Sequence, residues 1–271
     1  MSLPPNLLAN LSEAWVVLSR VPAGLITDVD GTLSPIVDQP ERSGVDPEVP
    51  DLLSRLAARL ALVAAVSGRP MDQLTSMLPV DSMVYVGNHG LEWREGGRST
   101  VVKEAQPYLP AMAETMRCLR ERLREPGLLV EDKGPTGSVH YRLHPNPAEA
   151  RETILRTIGR CPSARGLRWS DGRMVVNLMP PVQADKGTAV ETLVHRWGLR
   201  GAIYLGDDVT DVDAFRALRS LRQSGECSTL GIAVASPEAP AELYLEADYR
   251  LDGVDAVVAF LGQTVGWLEQ H

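Results

Sequence analysis

Two aspartates, Asp28 and Asp30, stand directly after the apolar stretch Gly24–Thr27 and are followed by Gly31-Thr-Leu33. Side chains alternate along an extended chain, so both carboxylates can face one side. Carboxylates converging at the end of a buried strand are costly unless a cation lies between them. Hard Mg2+ prefers oxygen ligands, and a carboxylate held beside it can attack phosphorus to give an aspartyl-phosphate. Three further segments offer matching chemistry. Ser67-Gly68-Arg69 follows the apolar run Ala61–Val66 and presents a hydroxyl and backbone N–H groups to phosphate oxygens. A Ser-Gly pair is also an ordinary turn. Lys186, in Ala-Asp-Lys-Gly-Thr, falls at a predicted helix start, where the helix dipole disfavours a cation. Screening phosphate from the nucleophile is a use for it there. Gly206-Asp207-Asp208-Val-Thr-Asp211 gathers three carboxylates at a strand end. Asp207 is the expected metal ligand, with Asp208 and Asp211 in direct or water-mediated contact. An N-cap role for Asp207 would leave the cluster unexplained.

The elements that must position these residues follow from periodicity. Leu52, Leu53, Leu56 and Leu60 form one face of a helix over 47–60. Ala61–Val66 suits a strand buried on both faces, a short helix reaches Leu78, and Val84–Val86 is a third strand. Strand and helix alternate, which predicts a parallel sheet with helical crossovers. A hairpin follows around Glu95–Arg98. The rhythm then changes. An amphipathic helix over 108–124, strands 128–132 and 139–143, a helix over 146–161 and a hairpin of 167–169 with 174–178 form an α+β block. The alternating pattern returns after Pro180-Pro181, with helices at 186–197, 212–218 and 254–268 and strands at 202–205, 231–235 and 249–251. The fold class is therefore α/β: a doubly wound, Rossmann-like core of residues 1–106 and 181–271, interrupted by an α+β cap at 107–180. Each chemical segment sits past a strand or at a helix start, where open α/β sheets bind ligands.

Composition removes other classes. The 271 residues carry a net charge of −8, with no basic run to serve nucleic acid. No apolar run approaches the length of about 18 residues that a membrane span needs, and no basic, apolar leader opens the chain. Cys118, Cys161 and Cys227 are odd in number and far apart, so neither a disulfide framework nor a cysteine zinc site is expected, and a reducing cytoplasm is the expected home. His140 and His144 are four apart but read as strand, against a helical zinc pair. Trp93, Trp169 and Trp197 are assigned to packing. Oligomeric state is not legible.

The order Asp-x-Asp-Gly-Thr, Ser-Gly-Arg, Lys and Gly-Asp-Asp-x-Thr-Asp resembles the four motifs of haloacid dehalogenase (HAD) superfamily phosphohydrolases that carry an α/β cap between the second and third. By that resemblance Asp28 is the nucleophile, Asp30 the general acid and base, Ser67, Gly68 and Lys186 the phosphate contacts. Asp28, Asp30, Asp207, Asp208 and Asp211 make the Mg2+ site. The likeness sharpens to the trehalose-6-phosphate phosphatase family over about residues 24–260. It rests on Asp28–Ile36, Gly87-Asn-His-Gly-Leu-Glu92, Glu131-Asp-Lys133-Gly, Val139-His-Tyr-Arg142, Pro180-Pro181 and Gly206–Phe215. It implies that Glu131 and Lys133 bind sugar hydroxyls, that Arg142 lines the same cap face, and that His89 and Glu92 border the pocket. Two departures stand out. Val176-Asn177-Leu178-Met179-Pro180 replaces the family's Glu-x-Arg-Pro, leaving Asn177 to meet the sugar as a neutral amide, and Val212 stands where Glu is common. Three outcomes stay open on the sequence. They are a Mg2+-dependent phosphatase acting on trehalose 6-phosphate, the same chemistry on another phosphorylated disaccharide, pseudo-disaccharide or glycosyl-polyol, and a non-catalytic subunit of a sugar synthase. A phosphotransferase or mutase is a fourth.

Overall fold

The computed structural model describes residues 3–36, 44–172, 174–236 and 239–271. It divides into two compact units, Met1–Ser99 with Ala184–His271, and Thr100–Gln183. In chain order the first unit begins with α1 (Leu11–Leu18), β1 (Ala23–Thr27), α2 (Val49–Ala57), β2 (Leu62–Val66), α3 (Met71–Met77), β3 (Val84–Gly87) and β4 (Glu92–Glu95), and the division falls within β5 (Arg98–Val101). The second unit contains α4 (Leu109–Arg122), β6 (Leu129–Asp132), β7 (Gly137–His140), α5 (Pro147–Arg160), β8 (Arg168–Gly172) and β9 (Val175–Met179). The chain returns through α6 (Lys186–Arg196), β10 (Gly201–Gly206), α7 (Asp211–Gln223), β11 (Ser228–Val234), α8 (Ala241–Glu246), β12 (Tyr249–Leu251) and α9 (Val254–Gln270).

The large sheet runs β12-β11-β10-β1-β2-β3-β4-β5. Its strands are parallel from β12 to β3, and β4 is antiparallel to β3. Successive crossovers leave β1 in opposite directions, so the strand order reverses between β1 and β10. Thr27 pairs with Leu205 there, which sets Asp28 beside Gly206 and Asp207. That reversal is where a doubly wound sheet opens a ligand crevice.

Alternation along the strands supplies the two faces of the core. Leu25, Val63, Ile203 and Leu205 pack with Leu18, Leu53, Leu56 and Phe260 of α1, α2 and α9. Ile26, Ala64 and Tyr204 face Val190, Leu193 and Phe215 of α6 and α7. Tyr204 is thereby committed to the side that carries Lys186 and Asp211. The helix read over 47–60 is shorter in the structure: Pro50 lies in the first turn of α2, and the helix ends at Ala57 with Leu60 buried beyond it. Short α8, with Leu243 buried, is an element that periodicity does not predict.

The second unit holds a separate four-stranded sheet, β6-β7-β9-β8. Its antiparallel strands bury Val139, Val176 and Leu178 against Met112, Met116 and Leu119 of α4 and Ile154 of α5. Cys118 on α4 and Cys161, at the C-terminal cap of α5, form a disulfide, and Cys227 is the free, buried thiol. The two helices lie against one face of the same sheet and bring together cysteines 43 residues apart. Sequence spacing carries no record of that approach, and the argument for a reducing compartment loses this support. Trp169 also departs from a packing role: it is exposed, with Arg151 over its ring at 5.9 Å. Among the described residues, no helix is long and apolar enough to cross a membrane.

The disulfide gives a direct expectation. Protein denatured without reductant should titrate one thiol, and three after reduction; three thiols before reduction would refute the pairing.

Candidate active site

The loop after β1 folds around one carbonyl. Thr32, Leu33 and Ser34 all direct N–H groups to Val29 O, and Gly31 N–H donates to Ser34 O at 2.7 Å. Gly31 has φ +82°, and a Cβ there would overlap the Asp207 carboxylate. The glycine of the first motif is thus needed both for its turn and for the approach of Asp207. Asp28 is fixed by its N–H to Leu205 O at 2.8 Å.

Lys186 opens α6 within a capping box. The Asp185 side chain accepts the Thr188 N–H at 2.7 Å, and Thr188 Oγ1 accepts the Asp185 N–H at 3.1 Å. With the helix start fixed, Lys186 Nζ reaches Asp28 Oδ1 at 2.7 Å and Asp211 Oδ1 at 2.6 Å. All three groups are buried. Burial alone pushes the Lys186 ammonium down, but the charges of Asp211 and Asp28 outweigh it and hold the group above its ordinary value.

Asp211 is saturated. Its Oδ1 also accepts the Tyr204 hydroxyl at 2.6 Å, and its Oδ2 accepts the N–H groups of Asp207 at 3.1 Å and Asp208 at 2.9 Å. It therefore ties β10, the loop and α6 together. Asp28, Asp207 and Asp211 each offer an oxygen within 4.8 Å of the others. Three ionised carboxylates would outnumber the one ammonium, and the donor set is all hard oxygen, so the cluster could hold a divalent metal. Because Asp211 already accepts two donors on each oxygen, Asp28 and Asp207 are the carboxylates with capacity to spare. Burial raises Asp28 well above the ordinary carboxylate range; Lys186 opposes this, and Asp211 and Asp207 add to it. Burial and the charge of Asp211 push Asp207 up to about 7.

The remaining expected residues divide. Asp208 is exposed, with its Oδ1 accepting the Val209 N–H, and lies outside the cluster. The Asp30 carboxylate is engaged by Arg69, Nε to Oδ2 at 2.6 Å and Nη2 to Oδ1 at 2.5 Å. Ser67 is buried beside the end of β2, its Oγ accepting the Arg69 N–H at 3.2 Å. Gly68 admits the His89 ring, which a Cβ would overlap. Glu92 takes a framework part: its Oε2 accepts the Met71 N–H that opens α3, at 3.1 Å, and the Asn88 side chain at 2.6 Å. Burial raises its carboxyl, against the hydrogen bond from Asn88. Arg69, Tyr204 and Thr32, which donates to Asp207 Oδ1 at 3.2 Å, were not identified from sequence. Tyr204 is readable afterwards, since its position in β10 is of opposite parity to Ile203 and Leu205.

In the second unit, strand register aligns Glu131, Ser138, Asn177 and Ser170 in one row across the sheet. Ser138 donates to Asn177 Oδ1 at 2.8 Å. Glu131 Oε2 pairs with His140 Nε2 at 2.8 Å and Lys133 Nζ at 3.5 Å. Burial pushes the Glu131 carboxyl up, but the His140 hydrogen bond and the charges of Lys133 and His140 outweigh it and hold it below its ordinary value. Arg142 lies past the end of β7, exposed in the following turn, so the strand was read too long at that end.

The sheet reversal, the paired aspartates after β1 and the buried lysine define a phosphatase of the HAD superfamily, with an inserted cap. More narrowly, the chain belongs to the trehalose-phosphatase family, whose model matches residues 26–255. It is 30% identical over 264 residues to a probable trehalose-phosphate phosphatase E of Arabidopsis thaliana, spanning 91% of this chain and 71% of that one. It is 33% identical over 269 residues to an uncharacterized glycosyl hydrolase of Mycobacterium tuberculosis, spanning 96% of this chain but 19% of that one. Among solved structures, a trehalose-6-phosphate phosphatase related protein superposes with TM-score 0.74 at 24% identity, covering 91% of this chain and 99% of that one. The C-terminal domain of the Candida albicans trehalose-6-phosphate phosphatase gives TM-score 0.72 at 20% identity, covering 97% and 98%.

The carboxylate cluster predicts proton-linked metal binding. Asp207 keeps its proton to about pH 7 in the folded chain, against 3.8 ordinarily. The folded state thus holds a proton that the unfolded chain has released, so this group's contribution to stability falls as pH rises toward 7. A divalent ion needs the ionised carboxylate, so its binding at pH 6 should release protons and weaken as pH falls. Calorimetry in buffers of different ionisation enthalpy measures this; equal affinity at pH 5.5 and 7.5 with no proton release would contradict it.

Proposed function

We propose that this chain is a Mg2+-dependent phosphatase that hydrolyses trehalose 6-phosphate to trehalose and phosphate through an aspartyl-phosphate on Asp28. The observation that carries the reading is the buried Lys186 ammonium held on Asp28 Oδ1, beside Asp207 and Asp211. Family membership and the names of the curated relatives support the sugar phosphate. Mg2+, held by Asp28 and Asp207 with the Asp30 backbone carbonyl, would offset the charge of the phosphate and the attacking carboxylate.

The protein's own groups do the following. Asp28 presents its second carboxylate oxygen to phosphorus while Lys186 holds the first. Ser67 and the backbone at Gly68 bind phosphate oxygens, and Lys186 compensates charge as the phosphoryl group moves. Asp30 gives a proton to the departing sugar oxygen, then takes one from the water that cleaves the acyl-phosphate. Glu131, Lys133 and Asn177 recognise sugar hydroxyls. Arg142, and His89 at the core loop, are assigned to the sugar as well. Glu92 is assigned to holding that loop.

A second reading, a related phosphorylated disaccharide, rests on one contact. Asn177 Oδ1 accepts the Ser138 hydroxyl, and its side-chain amide brings N–H donors that a carboxylate lacks. A carboxylate at that position would accept instead, and a site built around one hydrogen-bonding polarity rejects the other strongly.

Phosphate release from trehalose 6-phosphate, sucrose 6-phosphate, glucose 6-phosphate and a phosphorylated pseudo-disaccharide, with Mg2+, separates the two readings. Preference for trehalose 6-phosphate by about tenfold or more supports the first; turnover of another disaccharide phosphate in its place supports the second. Asp28→Asn should lose at least about 10³-fold in kcat while remaining folded, and a rate near wild type would sink the nucleophile assignment. Glu131→Ala should raise KM for the sugar phosphate about tenfold and spare an aryl phosphate. Equal losses on both substrates would remove Glu131 from sugar recognition.

A further inference from the structure

Asp30 is held at two levels, main chain and carboxylate. Its main chain is held by the bridge to Ser34 and by the turn around Val29 O. Main-chain contacts of this kind place the Cα and do not by themselves set the plane of a carboxylate. Arg69 fixes that plane: the guanidinium meets both oxygens, Nε to Oδ2 at 2.6 Å and Nη2 to Oδ1 at 2.5 Å. A two-point pairing of this kind sets orientation as well as energy. The arginine side chain is 12% exposed and the aspartate 39%, so the clamp holds its donor in the wall and presents the acid toward solvent.

Arg69 is itself braced. Its N–H donates to Ser67 Oγ and its carbonyl accepts the Asn88 N–H at 2.9 Å. Pro70 and α3 follow immediately, and Glu92 bridges Met71 N–H and the Asn88 side chain across that junction. The framework around Glu92 therefore holds the main chain from which the guanidinium extends.

We propose that Arg69 is a positioning residue for the phosphatase reaction, acting through Asp30 and not through the phosphate. The proposal rests on the phosphatase reading above. In the first half-reaction an Asp28 oxygen bonds to phosphorus, the ester P–O bond breaks, and the sugar oxygen leaves with the Asp30 proton. In the second, water oxygen bonds to phosphorus, the P–O bond to Asp28 breaks, and the water proton returns to Asp30. Both transfers need the Asp30 oxygen on the line of the moving proton. General acid–base help is worth about 10²–10⁴-fold, and misplacement by about 1 Å can forfeit about 10²-fold.

The test uses leaving groups that differ in their need for a proton. Nitrophenolate leaves unprotonated; a sugar alkoxide does not. In Arg69→Ala and Arg69→Lys, first-turnover sugar release from the preferred sugar phosphate should fall at least about tenfold. First-turnover nitrophenolate release should stay within about threefold of wild type, followed by a slowed steady state, since the second half-reaction still needs Asp30. Inhibition by inorganic phosphate should keep its Ki. On an Asp30→Asn background, Arg69→Ala should cost nothing further in first-turnover sugar release, because the group it positions is gone. Equal first-turnover losses on both substrates, a phosphate Ki raised about tenfold, or full additivity with Asp30→Asn would overturn the proposal and make Arg69 a phosphate ligand or a purely structural residue. A wild-type chain that releases phosphate from neither substrate would sink the phosphatase reading, and the proposal with it; an active wild type with equal losses would sink the proposal alone.

Discussion

A lysine ammonium held out of water between the carboxylates of Asp28 and Asp211 is the interaction on which the rest of the core depends. Neither partner tolerates the site alone. An unpaired buried ammonium would shed its proton, and an unpaired buried carboxylate would take one up. The three groups must therefore be assembled from three separate stretches of chain, each delivered by a different element. β1 brings Asp28, the capped start of α6 brings Lys186, and the first residue of α7 is Asp211. The capping box at Asp185 and Thr188 and the parallel pairing of β1 with β10 are the local structures that make the delivery accurate.

Asp211 shows why such a site stays put. Four donors converge on its two oxygens, from a lysine, a tyrosine and two backbone amides. A carboxylate so satisfied orients its neighbours and has little left for a ligand. The same saturation leaves the spare acceptor capacity on Asp28 and Asp207, whose ionised forms a divalent cation would stabilise. Burial that would be destabilising in an ordinary core is here the source of the chemical bias.

A second network runs from Glu92 through Asn88 and Met71 to the loop bearing Ser67, Gly68 and Arg69. It holds the Arg69 main chain, from which the guanidinium reaches the remaining aspartate of the first motif. The cap unit repeats the pattern on its own sheet, where Glu131 is held by His140 and Lys133 and Asn177 by Ser138. In both places side chains that read as substrate contacts are first of all partners to each other.

The sequence by itself determined the alternation of strand and helix, the interruption by an α+β block, and the residues Asp28, Ser67, Lys186 and Asp207 at the ends of their elements. Periodicity and turn residues are local, and so are the motifs built on them. The short helix α8, the end of β7 before Arg142 and the length of α2 were decided by packing that periodicity does not record. The division of labour inside the site was likewise tertiary. That Asp211 is an anchor, that Asp208 faces out, that Glu92 braces α3 and that Arg69 grips Asp30 depend on which lone pair meets which donor. Those partners lie up to 39 residues apart in the chain. The Cys118–Cys161 bond belongs to the same class, because two helices on one face of a sheet set the approach of their side chains and no spacing rule along the chain encodes it.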